Sequence, residues 1–225
     1  MYILNLETST KNCSVALAEN GKTVAIREMS EEGYSHAEFL HVFIEEVLSE
    51  ANITFKDLSA VAVGQGPGSY TGLRIGVSAA KGLCYALEKP LIGIETLKVI
   101  TQSFFQSQTP DPQSLFCPMI DARRMEVYCA VYDHKLNEIE KVSAKIIDGD
   151  SFHHILQERK VFFFGDGAAK CKQWFVKNSQ AVFIDQVFPS AVSMVDMAEQ
   201  KFNRNEFEEV ALFEPLYLKQ LEPPK

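Results

Sequence analysis

The stretch GQGPGSYTGLRIG, residues 64–76, directly follows the apolar run Ala60-Val61-Ala62-Val63. An apolar strand that passes through spaced glycines into a helix is the usual setting of a phosphate cradle. Residue identity excludes the two commonest cradles. A Walker A loop closes on Gly-Lys followed by Ser or Thr, but the nearest following lysine, Lys81, lies far inside the expected helix. A dinucleotide fingerprint needs GxGxxG; Gly64 and Gly66 begin it, and Ser69 stands where its third glycine belongs. Two physical readings stay open. Gly66-Pro67-Gly68 can make a tight turn that exposes the backbone amides of a helix starting near Ser69, an anion site in principle. Alternatively, Gly68, Gly72 and Gly76 stand four apart on one helix face, continued by Ala80, so that another element can approach closely. Arg74 on that helix can pair with a carboxylate such as Glu7, meet a partner, or stay in solvent.

Working outward, Tyr2 to Leu6 reads as a strand, and Cys13 to Glu19 and Lys22 to Met29 as two more, joined by the hairpin dipeptide Asn20-Gly21. Ser35 to about Ala51 is the clearest helix. Ser35 and Glu38 have capping-box spacing, and Leu40, Phe43, Ile44, Val47, Leu48 and Ala51 recur at helical intervals. Leu58 to Val63 is nearly all apolar and predicts a strand buried on both faces. The glycine-rich stretch then opens a helix to Leu87, stopped by Lys89-Pro90, before a short strand from Leu91 to Ile94.

A composition shift over Thr101 to Ser114 marks a boundary between two lobes. Beyond it, Phe116 to Ile120 and Val127 to Tyr132 are strand-like around DARRME, and Val161 to Phe164 is a short strand ending in GDGAAK. Cys171 to Val176 and Val192 to Phe202 have helical character. Phe213 to Leu218 reads as extended, with Pro215 indicating a sheet edge. No sequence repeat is discernible. Strand, strand, strand, helix, strand, helix, strand is a mixed α/β order. Followed by a second, partly similar lobe, it suggests the ribonuclease H-like architecture of the actin and sugar-kinase superfamily.

With 225 residues and 46% apolar composition the chain can bury a substantial core. Its 30 acidic and 22 basic residues give a formal charge of -8, so its average field repels DNA and RNA. The five cysteines, at 13, 84, 117, 129 and 171, form no CxxC pair and fit reduced thiols in a cytoplasmic protein. The chain starts on a strand instead of a leader pattern, and no apolar run approaches membrane-spanning length.

The glycine-rich stretch resembles the signature of the bacterial TsaB (YeaZ) family. LETST at 6–10, SHAEFL at 35–40, DARRMEVY at 121–128, GDGA at 165–168 and PLYLK at 215–219 resemble segments of that family in the same order, so the resemblance covers essentially the whole chain. It implies an α/β fold of the actin-like ATPase (ASKHA, ribonuclease H-like) type in two lobes. Residues 1–104 would form the first lobe with its dimerisation helices. Residues 105–225 would form the second, with room for the C-terminal helix or strand to return to the first. The family supports formation of N6-threonylcarbamoyladenosine at adenosine 37 of tRNAs that read codons starting with A. The implied partners are the catalytic paralogue TsaD in a heterodimer, the ATPase TsaE, and a second copy in a homodimer. Contact with tRNA would come mainly through the complex, with no membrane and no DNA involved. The complex uses ATP; the chain itself would require no cofactor and hold no metal.

The catalytic paralogues hold a metal with HxxxH, but His36 and His41 are five apart and diverge by about 140° on a helix. His36 reads as a polar residue of the helix start. His134 stands alone, and His153 and His154 are adjacent. There is no GxSxG elbow. Asp121, Arg123 and Arg124 read as a salt-linked turn, with a base near the lobe interface as the other reading. Glu7, Thr8 and Ser9 occupy the first hairpin, and Gly165, Asp166 and Gly167 the second-lobe glycine loop; the resemblance makes these a vestigial nucleotide cleft, with Glu7 at the place of a phosphate-loop aspartate. For a partner surface the candidates are Phe39, Leu40 and Phe43 on the first helix and Tyr70, Gly72, Arg74 and Gly76 on the glycine-rich one. Competing functions are a stand-alone small-molecule kinase or ATPase of the actin-like superfamily and, behind an old superfamily label, an M22-type glycoprotease.

Overall fold

The structure, a computed structural model, describes residues 1–30, 36–109 and 111–219. Strand β1 (Tyr2–Glu7) pairs antiparallel with β2 (Asn12–Glu19), and β2 with β3 (Lys22–Ser30). The β2–β3 turn falls on Asn20 and Gly21, both at positive φ, a conformation these two residues adopt readily. Helix α1 (His36–Glu50) leads to β4 (Leu58–Gly66), parallel to β1; helix α2 (Tyr70–Leu87) leads to β5 (Leu91–Glu95), parallel to β4. The strand order is β3-β2-β1-β4-β5. Leu40, Ile44 and Val47 of α1 and Val77 and Ala80 of α2 pack on Leu4, Leu6, Val15, Val61 and Val63, so both helices cover the same face.

Helix α3 (Thr96–Ser107) occupies much of the stretch read as a composition shift. Its glutamines and serines mask an apolar stripe of Leu97, Ile100 and Phe104, all buried. A second sheet follows, from β6 (Leu115–Asp121), β7 (Glu126–Tyr132), β8 (Glu138–Ile146), β9 (Val161–Phe164) and β10 (Ala181–Phe183). Its order is β10-β9-β6-β7-β8. β6, β7 and β8 form an antiparallel meander, and β9 and β10 are added parallel. Order and strand directions thus repeat those of the first sheet without a sequence repeat. Strand β8, unassigned from sequence, has only half-buried and exposed positions, which is why it lacks a strong apolar signal. Short helices α4 (His153–Leu156) and α5 (Lys172–Phe175) complete this unit, whose core contains Phe152, Phe163 and Phe175.

The chain divides into two compact units, residues 1–99 with 189–216 and residues 100–188 with 217–225. Helix α6 (Val195–Asn203) belongs to the first. Together with the turn before it, it buries Ala191, Met194 and Ala198 on Ile3, Ala16, Ala62 and Ile92, the sheet face opposite α1 and α2. Polar contacts fix this return: the Asn12 side-chain amide donates to the Pro189 carbonyl (2.9 Å) and the Ala191 amide to the Ser14 hydroxyl (3.0 Å). Beyond α6 the chain bridges β5 at Glu208 and donates the Leu216 amide to the Gln65 carbonyl (2.7 Å), but forms no strand at 213–218. The Ser35–Glu38 capping pair lies outside the described residues, because Ser35 does. No described helix is long and apolar enough to cross a membrane.

Candidate functional site

The segments singled out from sequence gather into two clusters, one in each unit. The first surrounds the loop between β1 and β2. Glu7 is fully buried; its Oε1 accepts the Ser9 amide (2.7 Å), while Oε2 has no hydrogen-bond partner among the described residues. A Cβ added at Gly64 would overlap this carboxyl. The Thr8 hydroxyl donates to the Gly72 carbonyl (2.8 Å), and the Ser69 amide to the Ser9 carbonyl (2.7 Å). Cβ atoms at Gly68, Gly72 and Gly76 would collide with the Ser9 carbonyl, the Thr8 carbonyl and the Thr8 hydroxyl respectively. The small-residue face of α2 therefore lies against the β1–β2 loop of its own unit.

His36 closes the same cluster. It is buried, and its Nε2 donates to the Thr10 carbonyl (2.7 Å). It therefore anchors the loop from α1 instead of serving as an ordinary polar residue of the helix start. His41 is exposed, and no group of three His, Cys, Asp or Glu side chains among the described residues is arranged to hold a metal.

A nucleotide phosphate, which the actin-like fold implies, does not fit these residues. The amides of Ser69 and Gly72 at the start of α2 are used by the Ser9 carbonyl and the Ser69 hydroxyl. The loop that would curl around a phosphate instead packs on the three glycines. Burial pushes the Glu7 carboxyl above its usual range, opposed by the Ser9 hydroxyl and the Ser9 and Thr8 amides. The native state consequently holds this proton to higher pH than the unfolded chain, and stability falls as pH rises from the unfolded value toward the folded one. Glu7→Gln keeps an acceptor for Ser9 and removes the buried charge. It should raise the melting temperature at pH 7 by a few degrees, roughly, and much less at pH 4. Equal or lower melting of the variant at pH 7 would contradict this account.

The candidate partner residues separate by burial. Leu40 is 0% and Phe43 7% exposed, both in the core of the first unit. They are unavailable to a partner, because the stripe they belong to is the one that covers the sheet. Gly72 and Gly76 are likewise buried under the β1–β2 loop. Phe39 is half-buried and stacks on Phe43 (centroids 5.7 Å apart). Arg74 is exposed and lies over the Tyr70 ring (4.1 Å), one helical turn away, and does not reach Glu7. Val42 on α1 and Tyr85 on α2, 46% and 84% exposed, are large apolar or aromatic side chains that these helices turn outward, and neither stands out in the sequence.

The second cluster is built on the β6–β7 hairpin. Gly165, at φ +97°, and Gly167 pack against the backbone at the end of β6, where a side chain would strike Met119 and Ile120. Asp166 accepts the Asp121 amide (3.0 Å). The Lys170 ammonium binds Asp121 Oδ1, the Arg124 carbonyl and the Glu126 carbonyl, each at 2.8 Å. Lys219 donates to the Ala122 carbonyl (3.2 Å) and pairs with the Glu126 carboxylate. DARRMEVY, GDGAAK and PLYLK thus meet at one hairpin. The turn is salt-linked as expected, but through Lys170 and Lys219. Arg123 and Arg124 take no part in these pairs, a division of labour that adjacent residues of like charge do not reveal in sequence. A separate hollow of this unit, lined by His153, Trp174 and Lys177, contains none of the expected site residues.

Comparison with known proteins agrees with these features. A family model described as TsaD, tRNA N6-adenosine threonylcarbamoyltransferase, matches residues 30–222. The tRNA threonylcarbamoyladenosine biosynthesis protein TsaB of Escherichia coli (strain K12) is 31% identical over 97% of this chain and 95% of its own. The solved structure of YeaZ from Pseudomonas aeruginosa is 25% identical and superposes with a TM-score of 0.77, over 96% of this chain and 99% of that one. The activator of 2-hydroxyisocaproyl-CoA dehydratase from Clostridium difficile, solved with bound ADPNP, shares the fold alone: 10% identity, TM-score 0.51, 92% and 96% coverage. The architecture is the two-lobed, ASKHA-like α/β fold.

Proposed function

We propose a function from one premise: this chain belongs to the TsaB (YeaZ) family of tRNA threonylcarbamoyladenosine biosynthesis proteins. It acts in that biosynthesis as an accessory subunit, without chemistry of its own and without a bound cofactor, while ATP is consumed elsewhere in the complex. One observation carries the non-catalytic reading. The β1–β2 loop, which would have to surround a phosphate, is pinned onto Gly68, Gly72 and Gly76 and encloses a Glu7 carboxyl biased toward neutrality. Phosphoryl transfer needs groups that cradle the phosphates and hold their metal ion, and this loop, spent on internal contacts, presents neither.

The partner is the catalytic TsaD-type paralogue, with a TsaE-type ATPase joining the pair and a homodimer as the competing state. The docking surface is the outer arc of α1 and α2: Phe39 and Val42 on one helix, Tyr70, Arg74 and Tyr85 on the other. Tyrosine and arginine are enriched at such contacts, and Tyr85, an exposed aromatic on a helix whose other face is buried in its own unit, supports this choice.

Reconstitution tests the role. The purified chain, cognate TsaD, TsaE, the adenylate-forming enzyme, ATP, threonine, bicarbonate and tRNA should yield modified tRNA only when this chain is present, and the chain alone should yield none. Equal modification without it would reject the subunit role. Val42→Glu should leave thermal stability within about 0.5 kcal/mol of wild type and weaken TsaD association tenfold or more, roughly a 1.4 kcal/mol loss. Undiminished association would remove α1 from the interface.

A further inference from the structure

The charge of the chain is divided unequally. The first unit carries 10 basic and 18 acidic residues, the second 12 of each, so the whole formal charge of -8 resides in the first. Only the second unit can meet a polyanion without net repulsion. Within it, the tip of the β6–β7 hairpin holds Arg123 and Arg124 at φ +68° and +48°. This left-handed region favours glycine and asparagine, and two arginines in succession there call for a reason.

The hairpin is held in that shape from beneath. The Arg123 amide donates to Asp121 Oδ1 (2.6 Å) and the Glu126 amide to the Arg123 carbonyl (3.2 Å), closing the turn. The Asp121 carboxylate is taken by Lys170 and that of Glu126 by Lys219. Lysines thereby neutralise Asp121 and Glu126, while the Asp166 carboxylate accepts the Asp121 backbone amide. Among the described residues, neither arginine side chain has a hydrogen bond or ion pair, and both are exposed. Two adjacent, exposed guanidinium groups on a braced turn, with no ion pair among the described residues, are suited to bind phosphate oxygens as forks.

We propose that Arg123 and Arg124 contact the phosphate backbone of RNA, making the β6–β7 tip a direct tRNA contact of this subunit. This rests on the tRNA reading above. Two phosphate contacts predict a definite salt signature, since each contributes about 0.7 to 0.9 to the slope of log affinity against log salt.

The test is the binding of an unmodified tRNA transcript by the full chain, followed by fluorescence anisotropy from about 20 to 200 mM KCl, the range in which counterion release is read. R123N/R124N suits the backbone, because asparagine tolerates positive φ, so it should melt no lower than wild type. Its binding should be roughly tenfold weaker at the low-salt end, with a slope shallower by about 1.4 to 1.8. R123K/R124K should keep the wild-type slope. The proposal is overturned if R123N/R124N binds with the wild-type slope, if wild type binds no tRNA at the lowest salt, or if the arginines prove to matter only for association with TsaD. If the chain is required in reconstitution yet R123N/R124N binds tRNA normally, this contact fails while the subunit role stands. If modification proceeds without the chain, the subunit role fails whatever the binding data.

Discussion

Leu40→Asp should unfold the first unit. Leu40 is completely buried on α1, in the cluster with Leu4, Leu6, Val15, Val61 and Val63. Removing a core leucine side chain costs about 2–5 kcal/mol, and a carboxylate in its place either stays ionised without a partner or takes up a proton at further cost. The sum approaches the total stability of an ordinary domain, about 5–15 kcal/mol. The variant should be insoluble or lack a cooperative melt, and any lost TsaD binding would then report unfolding. Val42→Glu, two residues along the same helix, should melt like wild type. A folded Leu40→Asp protein would mean that α1 does not dock on the sheet through this face.

Gly72→Ala should also destabilise, against the ordinary trend for helices. In an exposed helix interior, alanine is better than glycine by about 1 kcal/mol. At Gly72 the new methyl would run into the Thr8 carbonyl and come within 3.3 Å of the His36 ring. The Thr8 carbonyl is backbone and cannot rotate away, so α2 or the β1–β2 loop must shift, straining the Thr8 hydroxyl bond to the Gly72 carbonyl. Overpacking of this kind costs about 1–3 kcal/mol, and the backbone obstacle puts Gly72→Ala toward the upper end. Gly82 on the same helix is the control. Nothing lies within 4 Å of a Cβ built there, and Gly82→Ala should gain about 0.5–1 kcal/mol. Chemical denaturation of the two variants gives opposite signs if the glycine face is an internal seam. Stabilisation by both would mean that the seam is open.

Much of the first unit was legible in the chain itself. Asn20-Gly21 specifies a hairpin, and a four-residue spacing of small side chains specifies a helix face able to touch something closely. Both are local statements, encoded within one or two turns of chain. Helix α3 and strand β8 were not legible. The apolar stripe of α3 is diluted by glutamines and serines, and β8 presents no buried face, so neither produces a clean period.

The candidate sites divide along the same line. The sequence alone placed Glu7, Thr8 and Ser9 at the first hairpin, excluded the two common phosphate cradles at residues 64–76, and carried enough of the family pattern to name the biosynthesis. It could not say what the glycines face, because that requires knowing that the loop after β1 folds across α2, some sixty residues later. Tertiary structure alone turned Leu40 and Phe43 inward and Val42 and Tyr85 outward, since burial depends on which arc of a broadly apolar helix meets the sheet. Tertiary structure also paired Lys170 and Lys219 with Asp121 and Glu126, leaving Arg123 and Arg124 without an ion pair among the described residues. The partners of a charge are set by distances in space, and those lysines are about 45 and 95 residues away along the chain.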